Sequence, residues 1–178
     1  TANQSIVIVD GKVTAIRDGF VAGDTVIELP DAWVMPGLID MHTHVTGVLD
    51  LTQPIQGPFL HAFTGRPAAL VLAMLPRMKA LLMEGFTTVR NVGDASGTTY
   101  DLRDAVNAGA VVGPRMLAIE PQIGVAGGDY DASKWGVRPE LEPYVTTRGQ
   151  CTGVIECTKA VREEVNRGAD VIKFRQSS

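Results

Sequence analysis

The hydrophobic pattern of the chain changes character after about residue 37. Before that point there are three short strand-like runs, at residues 5–9, 12–17 and 25–29. The second alternates polar and apolar positions, and Asp-Gly pairs follow the first two. An Asp-Gly pair between alternating runs is typical of a tight hairpin turn. This part therefore predicts a three-stranded meander, which is too small to be stable alone and must pack on other strands.

After residue 37, strand-like apolar runs alternate with segments of helical periodicity. Strands are predicted at 38–44, 87–92, 115–119 and 171–174, and helices at 68–84, 102–107 and 152–167. This alternation is typical of parallel strands joined by crossover helices. The connections that follow strands are long and those that follow helices are short, as in α/β barrels, which build their sites at the carboxyl ends of the strands.

The composition is that of an ordinary soluble domain, with 45% hydrophobic and 20% charged residues and a net charge of −4. No cluster of Lys and Arg resembles a nucleic-acid footprint. No apolar run approaches the roughly 20 residues that a membrane span needs. The first residues do not form a signal peptide, so we expect a cytoplasmic protein, or a periplasmic or secreted one if a signal peptide was removed.

The two cysteines, Cys151 and Cys157, are predicted to lie on one helix. Six positions along a helix span nearly two turns. That is too far for a disulfide, whose Cα atoms approach to about 4.4–6.8 Å. The spacing does not match a zinc finger either. We therefore expect two small, partly buried helix residues, and the redox compartment stays undecided.

Two of the three histidines, His42 and His44, end the predicted strand at 38–44. Alternate strand residues point to one face, so the imidazoles lie side by side and suit two ligands of one metal ion. A two-residue spacing is weakly specific, and it also fits two exposed histidines that bind nothing. The third histidine, His61, is expected to be a solvated loop residue, and Asp94 a turn or cap residue.

Lys173 lies within the predicted strand at 171–174. A buried ammonium is costly, so one interpretation places the side chain at a strand end, where it reaches solvent or an acidic partner. In the other, the buried amine loses its proton and becomes chemically useful. A carbamate formed on that amine is an anionic oxygen ligand that suits the bridging of two metal ions.

Several motifs in order resemble the amidohydrolase superfamily, and most closely its imidazolonepropionase-like group, which includes Xaa-Pro dipeptidases. Pro-Gly-Leu-Ile-Asp-Met-His-Thr-His at 36–44 is similar to the first barrel strand of that superfamily. Three further stretches are similar to the second, third and fourth strand regions of that superfamily. They are Glu-Gly-Phe-Thr-Thr-Val-Arg at 84–90, Gly-Pro-Arg at 113–115 and Gly-Ala-Asp-Val-Ile-Lys at 168–173. The resemblance covers nearly the whole chain.

The resemblance implies an α/β fold, a (β/α)8 TIM barrel of amidohydrolase type with a small β-sandwich. Residues 1–33 would be the N-terminal strands of the sandwich, and 34–178 about the first four βα units of the barrel. In the family, His42 and His44 would bind one divalent metal, and a carboxylated Lys173 would bridge it to a second, both expected to be zinc. The later histidine ligands and the general-base aspartate match no residue here, so the catalytic residue is unknown.

Three functions follow from these expectations. The first is the N-terminal portion of a binuclear hydrolase, which cleaves an amide or peptide bond of a dipeptide or small molecule by metal-activated hydroxide. The second is a non-catalytic half-barrel that folds or associates without activity. The third is a cyclic-amide or lactone hydrolase of the same superfamily. Tyr130, on a Gly-rich loop, is the candidate substrate contact. A half-barrel leaves apolar faces and strand edges open, so we expect association with the C-terminal half of the barrel or with another copy.

Overall fold

The computed structural model describes residues 3–45, 66–93, 97–128, 131, 136–145 and 148–175. It is a mixed α/β structure that divides into two compact units, Thr1–Pro36 and Gly37–Ser178. No helix in these ranges is long and apolar enough to cross a membrane.

The first unit contains an antiparallel hairpin of β1 (Gln4–Val9) and β2 (Lys12–Asp18). Positive φ angles at Asp10 and Gly11 form its turn, as the Asp-Gly signal predicts. The third predicted strand, at 25–29, was wrong, because these residues form no strand. Ile27 is 78% exposed, so the apolar side chains of this run have no surface within this unit on which to pack.

The second unit opens with a three-stranded parallel sheet in the order β3-β4-β5. Its strands are β3 (Leu38–Thr43), β4 (Phe86–Val92) and β5 (Arg115–Ile119), and its helices are α1 (Pro67–Met83) and α2 (Thr99–Asn107). The predicted strands and helices of this region are thus confirmed, and Pro76 lies inside α1 without ending it. Val89 and Met116 pack with α1 and α2 in the larger hydrophobic core.

A second parallel sheet follows, with β6 (Ile123–Val125) between β7 (Gln150–Cys151) and β8 (Phe174–Arg175). Helices α3 (Glu142–Val145) and α4 (Gly153–Asn166) complete this part. The sequence pattern missed β6, β7 and α3, and it placed the last strand too early. Elements of two to four residues are too short to produce a recognisable period.

The start of β3 lies very close to β4, and this contact explains the Pro-Gly turn. A Cβ atom on Gly37 would lie only 2.0 Å from the Thr87 hydroxyl, so no other residue fits there without displacing a strand. The Leu38 N–H then donates to the Gly85 carbonyl at 2.8 Å. These contacts fix the register from which β3 runs to its histidines.

The prediction that Cys151 and Cys157 are unpaired was wrong, because they form a disulfide with Cα atoms 5.0 Å apart. The error lies in the placement of Cys151, which belongs to β7 rather than to the helix. The chain turns at Thr152 before α4 begins, so the six-residue separation does not run along a helix axis. The disulfide therefore ties the sheet to the first turns of α4.

We expect the double variant Cys151→Ala/Cys157→Ala to lose about 2 kcal/mol of unfolding free energy, because the disulfide closes a short loop in the unfolded chain. Urea unfolding measures this loss. Dithiothreitol should lower the stability of the wild type to that of the variant and leave the variant unchanged. If both thiols become free in dithiothreitol while stability does not fall, the expectation is contradicted.

Candidate metal centre

His42 and His44 lie at the carboxyl end of β3 with ring centroids 5.4 Å apart and ring planes tilted by 60°. Two imidazoles that bind one zinc through nitrogens at about 2.0–2.1 Å place their centroids roughly 5 Å apart at a tetrahedral angle. The spacing of the pair therefore fits two ligands of one ion.

The ring of His44 is oriented by β4. Its Nδ1 lies 2.7 Å from the Gly93 carbonyl oxygen. Because a carbonyl can only accept, Nδ1 carries a hydrogen, and in the neutral ring Nε2 then keeps its lone pair. Metal-binding histidines in proteins commonly use one ring nitrogen for the ion and donate the other to a carbonyl or carboxylate. Gly93 has a φ of +125°, a conformation that favours glycine, so the direction of this carbonyl depends on the residue type.

The backbone around the two histidines is also held by β4. The Thr43 hydroxyl donates to the Arg90 carbonyl at 3.0 Å, and Arg90 Nε donates to the Met41 carbonyl at 2.6 Å. The N–H of Val45, the residue after His44, donates to Asn91 Oδ1 at 2.7 Å. The end of β3 is thus bound to its neighbour through side chains where the regular strand pairing stops.

Electrostatics favour a neutral His42. Desolvation, followed by charge interactions with Lys173, His44 and Arg90, lowers the pKa of His42, and Asp40 opposes this shift. The backbone N–H of His42 donates to Asp40 Oδ1 at 2.9 Å. Neutral imidazole is the form that binds metal ions, so the local charges keep His42 suited to that role.

Lys173 precedes β8 and is half-buried, and its carbonyl accepts from the Ile123 N–H at 2.8 Å. The segment before it is anchored by Asp170, whose Oδ2 accepts from Arg103 Nη1 at 2.8 Å and from the Ala118 N–H at 3.0 Å. The charge of Lys173 acts on His42. Of the two histidines, His42 is thus the one on which an electrostatic effect of Lys173 is resolved.

Three further residues that the sequence singled out cannot be placed. Tyr130, His61 and Asp94 lie outside the described residues. Among the residues that are described, no three His, Cys, Asp or Glu side chains form a group able to hold a metal ion. The donor set present here is therefore the two imidazoles, with the Lys173 amine as the nearby group that carboxylation would turn into a ligand.

A buried polar network behind the strand ends was missed by the sequence analysis. The Tyr100 hydroxyl donates to Glu164 Oε2 at 2.7 Å and accepts from the Glu120 N–H at 3.0 Å. Glu120 Oε1 accepts from the Thr99 N–H at 2.7 Å, and its Oε2 accepts from Arg167 Nη2 at 3.2 Å. A glutamate placed directly after the apolar strand β5 was the signal that could have revealed the network.

The network fixes the amino end of α2 against the carboxyl end of β5. Glu120 accepts from the first N–H groups of that helix, which have no partner within the helix itself. Gln122 lies just beyond, and its side-chain amide is 3.5 Å from where a Cβ on Gly93 would lie. Its Oε1 is buried and has no hydrogen-bond partner in the described part of the chain. Polar side chains thus continue to the carbonyl that orients His44.

The buried carboxyl of Glu164 makes stability depend on pH. Burial raises its pKa above the ordinary value, while the Tyr100 hydrogen bond and Arg148 oppose the shift. The folded state therefore binds this proton more tightly than the unfolded state, and the associated stability is lost as pH rises above about 4.3. Between about pH 4 and 7 we expect Glu164→Gln to gain stability relative to wild type. Urea unfolding at several pH values measures this, and a constant difference contradicts it.

The sequence model of the amidohydrolase family matches residues 33–178. Ochratoxinase of Aspergillus niger is 27% identical over 155 residues, which are 81% of this chain and 31% of that protein. The chain therefore spans about a third of the length of the curated relative that it matches.

The chain also resembles solved structures of amidohydrolases and dipeptidases over part of their length. A Xaa-Pro dipeptidase with methionine bound in its active site superposes with a TM-score of 0.73 at 31% identity, over 91% of this chain and 39% of that one. A second amidohydrolase gives a TM-score of 0.64 at 31% identity, over 94% of this chain and 40% of the other. These structures are also much longer than the present chain.

Proposed function

We propose, since the chain belongs to the amidohydrolase family, that it is the N-terminal portion of a metal-dependent hydrolase that cleaves an amide or peptide bond. The observation that carries this proposal is the hydrogen bond from His44 Nδ1 to the Gly93 carbonyl, which leaves Nε2 free beside His42. A bound divalent metal supplies a hydroxide nucleophile near neutral pH and polarises the scissile carbonyl.

His42 and His44 are the proposed ligands of one zinc ion, and Lys173 is proposed to be carboxylated and to bridge it to a second. Support for the histidines comes from their spacing and from the charges that keep His42 neutral. Support for Lys173 comes from its anchored backbone and its effect on His42. The chain's own contribution is to hold the two histidines at the carboxyl end of β3 and Lys173 directly before β8.

The proposed substrate is a dipeptide or a small molecule with an amide bond. The named relatives support this class, since they include a Xaa-Pro dipeptidase and ochratoxinase. Tyr130 is proposed to contact the substrate from the loop that follows β6. After β6, Asp131 accepts from the Gly127 N–H and from Gln150 Nε2 at 2.9 Å, so Asp131 is tied to the second sheet.

The remaining part of a (β/α)8 barrel, or a further copy of the chain, is proposed to cover the exposed apolar positions. On β3, Ile39 and Met41 are 60% and 46% exposed, and Val154 and Ile155 on α4 are also exposed. Neither a nucleic acid nor a membrane is proposed as a partner. The disulfide favours the periplasmic or secreted location over the cytoplasmic one, because disulfides persist in oxidising compartments.

We expect the 178-residue chain, when expressed alone, to associate, because apolar side chains are exposed and, within the described residues, β3 pairs with a strand on one side only. Light scattering after size-exclusion chromatography measures the mass. A monodisperse species of 19.0 kDa that unfolds cooperatively would show that these surfaces need no cover.

The proposed reaction is tested with the complete protein on a panel of dipeptides, N-acyl amino acids and lactones. We expect hydrolysis of amides to disappear after chelation and to return when zinc is added. Metal analysis of the purified protein is the accompanying measurement. Amide hydrolysis that persists in metal-free protein would contradict the proposal, and hydrolysis of lactones alone would favour the other hydrolase chemistry of the superfamily.

A further inference from the structure

His44 is held by β4 at two points rather than one. Its ring nitrogen Nδ1 is bound to the Gly93 carbonyl, and the peptide that follows it is bound to the side chain of Asn91. The first contact sets the tilt of the ring. The second sets where the backbone places that ring, because Val45 N–H donates to Asn91 Oδ1 at 2.7 Å.

Asn91 is completely buried, and its amide orientation is fixed from its other end. Nδ2 donates to the Thr99 hydroxyl at 3.3 Å, and the Thr99 N–H donates to Glu120 Oε1 at 2.7 Å. Glu120 is in turn paired with Arg167 at 3.2 Å. A series of hydrogen bonds, all buried except the partly buried one to Arg167, therefore runs from the end of α4 to the peptide beside His44.

The side chain at position 91 accepts from the Val45 N–H and donates to the Thr99 hydroxyl oxygen. The asparagine amide supplies both the acceptor and the donor on one short side chain. Strand pairing alone does not provide this restraint, because β3 ends at Thr43 while His44 and Val45 lie beyond it. A side chain from the neighbouring strand replaces the missing strand hydrogen bonds at the point where the proposed ligand stands.

We infer that Asn91 is a positioning residue for His44, which holds its Nε2 where it can bind the metal ion. This inference rests on the proposed metal site. Loss of outer-shell partners of metal ligands lowers metal affinity 10–100-fold. We therefore expect Asn91→Ala in the complete protein to weaken zinc binding by a factor of this size, and Asn91→Asp, which keeps an acceptor for the Val45 N–H, to keep most of the affinity.

The test is competition for zinc between the protein and a chelator of known affinity, with thermal unfolding of the metal-free proteins measured in parallel. Tyr100→Phe is the matched control, because it removes buried hydrogen bonds of the same network but none of those that Asn91 makes to Val45 and Thr99. It should lose stability and keep its zinc affinity. The inference is overturned if Asn91→Ala binds zinc like wild type, if Asn91→Asp binds as weakly as Asn91→Ala, or if Tyr100→Phe loses as much affinity.

His44→Ala separates this inference from the proposed function. If His44→Ala loses zinc while Asn91→Ala does not, the metal site stands and the role of Asn91 fails. If wild type and His44→Ala bind zinc equally, the metal is not held by His44 and both fail.

Discussion

His44→Ala is expected to lower amide hydrolysis by the complete protein at least about 100-fold, since even the loss of an outer-shell partner of a metal ligand costs 10–100-fold. The substitution removes one of the two imidazoles at the end of β3 and leaves the Gly93 carbonyl without its donor. Initial rates at saturating zinc measure the effect, and metal analysis should show a lower zinc content per chain.

His61→Ala is the matched control, because His61 is the remaining histidine and is expected to be a solvated loop residue. It should keep both wild-type rate and wild-type zinc content. Full activity in His44→Ala, with zinc content unchanged, would remove His44 from the metal site. An equal loss in His61→Ala would show that histidine ligation is not confined to the end of β3.

The elements that could be predicted from the sequence are the long ones. Strands β3, β4 and β5 and helices α1, α2 and α4 each contain enough residues for alternation or helical spacing to be recognised. The short strands β6 and β7 lack that length. The third predicted strand of the N-terminal meander failed for another reason, because alternation predicts a strand only when a neighbouring strand is present to pair with it.

The two histidines could be found from their spacing, but the groups that orient them could not. Asn91 and Gly93 are ordinary residues of a strand end in the sequence. Their roles depend on which strand lies beside β3, and on a glycine conformation that the sequence does not display. The disulfide was misjudged in the same way, since the sequence does not show that Cys151 lies on a short strand just before the helix that contains Cys157.

Glu120→Ala is expected to lower the free energy of unfolding by about 3 kcal/mol. The carboxylate is 1% exposed, and its loss leaves the Thr99 and Tyr100 N–H groups without their acceptor at the start of α2. Arg167 also loses its nearer carboxylate, at 3.2 Å, and keeps only the longer contact to Glu164 at 4.0 Å. Breaking a buried ion pair costs 3–5 kcal/mol, and because the Arg167 side chain is 31% exposed to solvent, we expect the lower end of this range. Urea unfolding at neutral pH measures the change.

Two further variants show whether the cost comes from burial and hydrogen bonding or from charge alone. Glu120→Gln keeps an acceptor for Thr99 and should cost only about 1–2 kcal/mol. Glu163→Ala removes a carboxylate that is 51% exposed and is paired with the exposed Lys159, so it should change stability by less than about 0.5 kcal/mol. If Glu120→Ala were no more costly than Glu163→Ala, the network behind the strand ends would not stabilise the fold. The series of hydrogen bonds from Arg167 to Asn91 would then contribute nothing measurable to the free energy of unfolding.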